Sequence, residues 1–178
     1  MRGNGAFTHD SAIPNTDALI TNQPNICIVV MLADCVPVIL YDPKQNALGV
    51  VHSGWKGTIQ GVTVNAVHRM IQAFDSKPED IIAGIGPSIG PNHYEVGPEV
   101  AEMTRNSFPH ADVIKDSNSG KVFFDLWAAN LYQLISAGIQ SSNVEASMMC
   151  SFTQWDEFYS HRRQKPTGRY VAAAMLIG

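Results

Sequence analysis

Apolar positions along the chain recur at two periods, and the switches between those periods predict its elements. Asp17–Thr21 and Ile26–Ala33 read as strands, the second a continuous apolar run suited to a sheet buried on both faces. Val36–Tyr41 and Ala47–His52 flank Asp42-Pro43-Lys44-Gln45-Asn46, a turn signal, and predict a β-hairpin. Pro37 has no N–H to give to a ladder, so its strand is expected at an edge or with a bulge. From Thr58 to Phe74 the period becomes helical: Ile59, Val62, Ala66, Val67, Met70, Ile71 and Phe74 form one stripe. Ile81–Ile85 reads as a short strand entering a Gly/Pro-rich loop that ends at Pro91. Pro98–Ser107 predicts a helix, and Asp125 is the expected N-cap of another that runs through Ala137 and stops at Gly138. Val144–Met148 and Tyr170–Ile177 complete the pattern as strands. The interleaving predicts an α+β fold of three layers, α/β/α, with a mixed sheet between helices.

A length of 178 residues fits one domain spanning 1–178, large enough to hold a core without staples. The net charge of −4 argues against nucleic acid as a partner. It leaves room for a local basic pocket that takes phosphate. No apolar run approaches the ~20 residues of a membrane span, and Met1–Asp10 lack the apolar region of a signal peptide. The expected compartment is therefore the cytoplasm. Cys27, Cys35 and Cys150 form neither C-x-x-C nor a disulfide framework, so their thiols are free for chemistry. Met1–Thr16 reads as loop with a strand directly after it, so the domain is expected to be incomplete at its N-terminus.

Three constellations carry candidate chemistry. In the first, the hairpin brings Ala33-Asp34-Cys35 near His52-Ser53-Gly54-Trp55-Lys56-Gly57, with Cys35 roughly opposite His52. A thiol and an imidazole that close suit shared Zn²⁺, or equally a thiolate–imidazolium nucleophile. Gly54 and Gly57 beside a helix start, with Lys56, suit an anion. The second is the loop Gly86-Pro87-Ser88-Ile89-Gly90-Pro91-Asn92-His93-Tyr94-Glu95, whose Gly and Pro content suits a binding loop and whose Glu95 is a candidate acid or base. His93-x-Glu95 lacks the P-C-x-x-C partner of zinc deaminases, which excludes that fold. The third is Tyr159-Ser160-His161-Arg162-Arg163 with Thr167-Gly168-Arg169, where four cations, Arg162, Arg163, Lys165 and Arg169, stand together in an acidic chain and the arginines suit phosphate or carboxylate.

In this order TDALITN, ADCVPV, HSGWKGT, GPSIGP with YEVG, and FYSHRR with TGR resemble the YfiH-like laccase-domain family, known historically as multicopper polyphenol oxidoreductases. The resemblance covers nearly the whole chain. It implies that Cys35 and His52 are the zinc ligands. It places a third ligand in a Q-x-H motif upstream of TDAL, and the sequence begins too late to contain that motif; His9 is not in it. The family often has Cys where Asn92-His93 stand, which makes His93 a remote substitute donor. The implied fold resembles the catalytic domain of cytotoxic necrotizing factor. The implied activity is phosphorolysis of adenosine, inosine, guanosine and methylthioadenosine, with deamination of adenosine by some members. Purine nucleosides and phosphate are then the expected partners, with Lys56, Arg162, Arg163 and Arg169 as phosphate candidates.

Three other readings stand beside it. A metal-free hydrolase or amidase would use Cys35 as nucleophile and His52 as base. A copper-dependent polyphenol oxidase fits poorly, since the six histidines are scattered and no H-x-H occurs, although copper is an adventitious competitor at a zinc site. A non-catalytic binding protein is the third.

Overall fold

A computed structural model describes residues 13–178. Along them run β1 (Ala18–Thr21), β2 (Cys27–Leu32), β3 (Val36–Asp42), β4 (Ala47–Ser53), α1 (Trp55–Ile59), α2 (Val62–Phe74) and β5 (Ile82–Ile85). Then come β6 (Glu95–Val96), α3 (Pro98–Ser107), β7 (Ile114–Asp116), β8 (Val122–Phe124), α4 (Leu126–Ser136), β9 (Val144–Ala146) and β10 (Tyr170–Met175).

The central sheet has the order β1-β4-β3-β5-β9, antiparallel except for the parallel β5–β9 pair. Strand alternation sorts its side chains to two faces. Val36, Val38, Leu40 and Val51 meet Ala66, Val67 and Met70 of α2 and Ala129 and Leu134 of α4. Leu48 and Val50 on the other face meet Ile28, Val30 and Leu32 of β2 and Leu176. The fold is α+β with a mixed sheet at its centre, as the pattern predicts. The layer on the second face is the antiparallel β2–β10 ribbon. A third, small sheet, β6-β8-β7, has strands too short to register as period-2 runs.

Several local expectations are corrected. β2 is not buried on both faces: its exposure alternates, with Cys27, Val29 and Met31 outward. A run of apolar residues conceals that alternation because the outward positions are apolar too. β3 is an interior strand despite Pro37. Pro37 pairs with His52, whose N–H goes to the Asp17 carbonyl at 2.7 Å, so this pair exchanges no ladder bond. Its nitrogen faces the β5 side, where that ladder is already ending, and no donor is missed. The predicted single helix over 58–74 is two, α1 and α2, broken at Gln60-Gly61 by the left-handed backbone of Gly61 (φ 76°). The buried Thr58 hydroxyl donates to the Gly54 carbonyl at 2.9 Å and pairs with Ser53 Oγ at 2.8 Å, which fixes α1 on the end of β4. The Asp125 cap is as expected, its carboxylate accepting the Ala128 N–H at 2.9 Å. Among the described residues no helix is long and apolar enough to cross a membrane.

Candidate active site

Cys35 follows the turn that ends β2, and Asp34 sets that turn. Asp34 has φ 82°, a left-handed conformation that Asp and Asn tolerate better than most residues. It is 7% exposed, and its carboxylate accepts the Ser151 hydroxyl at 2.8 Å and the Arg162 backbone N–H at 2.6 Å. Its carbonyl accepts the Ile89 N–H at 3.0 Å. One buried residue thus draws the Gly86–Pro91 loop, the Cys150-Ser151 segment and the FYSHRR loop around Cys35.

His52 lies one residue before the end of β4. Its Nδ1 bonds Asp17 Oδ1 at 2.9 Å. A carboxylate only accepts, so Nδ1 carries the proton and Nε2 is left for the site. The Cys35 thiol beside the ring raises the imidazole to about 9, against the effect of burial and with a further contribution from Asp17. The two side chains meet over Gly54, where a Cβ would stand 3.1 Å from Cys35 Sγ and 3.7 Å from His52 Cε1. Gly54 therefore makes room for the pair. The expected opposition of Cys35 and His52 is corrected: Pro37 opposes His52, and Cys35 lies two residues before Pro37, just outside the ladder.

Tyr94 and Arg162 stand on the same side. The Arg162 guanidinium lies 5.0 Å from the centre of the Tyr94 ring and donates to the Glu95 carbonyl at 2.7 Å. Burial, with Cys35 and Asp34 nearby, pushes the Tyr94 phenol up to about 12, while Arg162 opposes the shift. Tyr170, also raised by burial, donates to the Pro87 carbonyl at 2.9 Å and braces the loop from below.

The other candidate cations do not converge with Arg162. Arg163 lies between Phe152 and Trp155, at 5.6 and 5.1 Å, and donates to the Phe152 carbonyl. Arg169 donates to the carbonyls of Thr167 and Gly168 within its own loop. Lys56 is exposed and lies over Trp55 at 5.4 Å. Glu95 is exposed and pairs with Lys121 at 2.9 Å. His93 turns its Nδ1 to Cys150. His9 lies outside the described residues.

A thiol and an imidazole whose second nitrogen is held by a carboxylate are donor types that fit zinc. The described residues contain no group of three or more His, Cys, Asp or Glu placed to hold a metal ion, so they offer Cys35 and His52 as two ligands. A cavity of about 440 Å³ with Asp17, Gly57, Asn65 and Arg69 in its wall opens between β1 and α2; neither Cys35 nor His52 lines it. Residue patterns singled out no role for Asp17, and none for Asp34 or Tyr94 beyond their place in the motifs. The ADC tripeptide did place Asp34 beside the thiol, but its partners lie more than a hundred residues away.

Residues 3–177 match the family model for multi-copper polyphenol oxidoreductase laccase. A protein of Bacteroides thetaiotaomicron named purine nucleoside phosphorylase is 39% identical over 163 residues, which cover 90% of this chain and 60% of that protein. Purine nucleoside phosphorylase YlmD of Geobacillus stearothermophilus is 34% identical over 96% of this chain and 64% of its own. Adenosine deaminase RL5, from an unknown prokaryotic organism, is 35% identical over 86% of this chain and 59% of its own. The crystal structure of YlmD from Geobacillus stearothermophilus superposes with a TM-score of 0.93 at 32% identity, over 99% of this chain and 66% of that one. The Bacillus licheniformis YfiH structure gives 0.92 at 35% identity, over 98% and 67%. The chain spans about six tenths of the length of these curated relatives. It belongs to the multi-copper polyphenol oxidoreductase laccase family, the YfiH-like proteins.

Proposed function

We propose that this chain carries the site of a zinc-dependent purine nucleoside phosphorylase that also deaminates adenosine. The observation that carries the reading is the meeting of Cys35 and His52 over Gly54, with Asp17 on the far nitrogen of the imidazole. The substrates are adenosine, inosine, guanosine and methylthioadenosine, as the family resemblance implies; the names of the relatives support purine nucleosides and adenosine. Held by Cys35 and His52, zinc supplies Lewis-acid polarisation of a substrate oxygen. Asp17 fixes the tautomer and direction of His52. Arg162, held by Tyr94 and the Glu95 carbonyl, keeps guanidinium N–H groups for phosphate. Lys56, Arg163 and Arg169 contribute positive charge further out. The Tyr94 hydroxyl stays protonated at neutral pH and is a hydrogen-bond donor to the substrate. In phosphorolysis a phosphate oxygen bonds C1′ as the bond from C1′ to the purine breaks; in deamination water displaces the amine at C6.

The test is product analysis by mass spectrometry with adenosine, inosine and methylthioadenosine, with and without phosphate. Free base and the sugar 1-phosphate, formed only with phosphate, are the expected result. Cys35→Ser abolishes both activities together; survival of either at the wild-type rate refutes a shared site. The direct approach of Cys35 to His52 also favours a second reading, a metal-free Cys–His hydrolase. Iodoacetamide separates the two: labelling of Cys35 that a chelator accelerates supports zinc, and labelling indifferent to the chelator supports the hydrolase.

A further inference from the structure

The fold builds a second cysteine–histidine pair outside the site described above. Cys150 closes on the Gly86–Pro91 loop, where its Sγ accepts the Gly90 N–H at 3.1 Å. The Ser88 N–H and carbonyl bond the residues on either side of it, Met149 and Ser151, at 3.1 and 3.0 Å. His93 brings Nδ1 to 3.7 Å from the same sulfur. The imidazole is held there by stacking on Phe152, with ring centres 4.8 Å apart. Both Cys150 and His93 are half-buried, so solvent reaches the pair. The inner side of the sulfur is closed: a Cβ on Gly90 would lie 3.2 Å from both Sγ and Trp127 Cη2. A thiol with an N–H donor on its sulfur and a base beside it is the arrangement of a reactive cysteine. The restricted access selects a small electrophile.

We propose that Cys150 is a modification site for small hydroperoxides, with His93 as the base that takes the thiol proton. The sulfur attacks a peroxide oxygen; the S–O bond forms and the O–O bond breaks. Sulfur is oxidised by two electrons to the sulfenic acid. Hydrogen peroxide is reduced to water, the departing hydroxide taking back the proton from the imidazolium. The new oxygen competes for the Gly90 N–H, and the Gly90 neighbour Ile89 bonds the Asp34 carbonyl beside Cys35.

The full chain is treated with limiting hydrogen peroxide in the presence of dimedone, and adducts on the peptides of Cys27 and Cys150 are quantified over time by mass spectrometry. Cys27, exposed on the β2–β10 ribbon, is the internal reference. Cys150 forms adduct at least about ten-fold faster than Cys27, a modest share of the 10²–10⁴-fold that a positioned base contributes. His93→Gln removes that advantage and leaves the Cys27 rate unchanged. In the wild-type chain unfolded in urea the advantage also disappears, a readout that does not depend on the variant folding. Equal rates at Cys150 and Cys27 in the native chain, or an advantage that survives urea, overturn the proposal. So does one that survives His93→Gln with native circular dichroism.

Discussion

Asp34 ties the strand end that bears Cys35 to two distant segments, and its removal has a calculable cost. Asp34→Ala deletes the acceptors of the Ser151 hydroxyl and the Arg162 N–H, at 2.8 and 2.6 Å. Each buried group left without a partner costs about 1–3 kcal/mol. Alanine must also adopt φ 82°, which costs about 1–2 kcal/mol more. Arg162 is exposed, so water recovers part of the loss at its N–H. The expected destabilisation is about 3–5 kcal/mol, or roughly 10 °C in Tm for a chain of this length. Asp34→Asn is the control. Asparagine tolerates the left-handed backbone; its oxygen accepts the Arg162 N–H while its amide donates to Ser151 Oγ. Only the charge assistance is lost, about 1 kcal/mol. Ser151→Ala leaves one carboxylate oxygen unpartnered and falls between, at about 1–2 kcal/mol. Urea unfolding at pH 7 with linear extrapolation measures all three. An Asp34→Ala variant within about 1 kcal/mol of wild type refutes the reasoning, and so does an asparagine variant as damaged as the alanine one.

Other perturbations test the site and the core. In chelator-treated protein His52 titrates near 9 by NMR. Cys35→Ser brings it down further than Asp17→Asn does, because Cys35 is the larger cause. Since the folded value is raised, the stabilisation from His52 is complete below its ordinary value of 6.5 and is lost as pH rises through about 9; urea midpoints of the metal-free chain across that window show the loss, and a flat profile contradicts it. Gly54→Ala pushes a methyl to 3.1 Å from Cys35 Sγ, so nucleoside turnover falls at least about ten-fold while Tm moves by only a few degrees. Phe124, fully buried between Tyr94 and Phe108, costs about 3–5 kcal/mol as Phe124→Ala, measured by urea unfolding.

The legible parts of this fold are those in which neighbours in sequence are neighbours in space. The β3–β4 hairpin, the Asp125 cap and the α2 stripe follow from local pattern. The break at Gly61 escaped because periodicity counts apolar positions and a left-handed glycine lies between them. The ribbon escaped because the outward residues of β2 are apolar, which erases the alternation that would have marked a half-exposed strand. Cys35 and His52 were legible as a pair through the hairpin, although the register puts Pro37 in the predicted place.

The rest of the site depends on contacts between segments, and no spacing rule reaches those. Asp17 meets His52 because β1 lies beside β4 at the edge of the sheet, a pairing set by burial of Ala18 and Ile20 and by no local motif. Four cations close in sequence suggested one basic pocket, yet each guanidinium follows its nearest aromatic ring or carbonyl. Arg162 goes to Tyr94 and Arg163 to Phe152 and Trp155, while Arg169 stays in its own loop. Arg162 and Arg163, adjacent in the chain, are anchored by different buried residues: the Arg162 N–H is bound to the Asp34 carboxylate and the Arg163 N–H to Ser160 Oγ, and only the Arg162 side chain goes to Tyr94. A charge cluster in a sequence is thus sorted by the buried residue that anchors it. For this chain that residue is the aspartate beside the candidate cysteine, so the Cys35 thiol and the guanidinium proposed for phosphate are both tied to the same carboxylate.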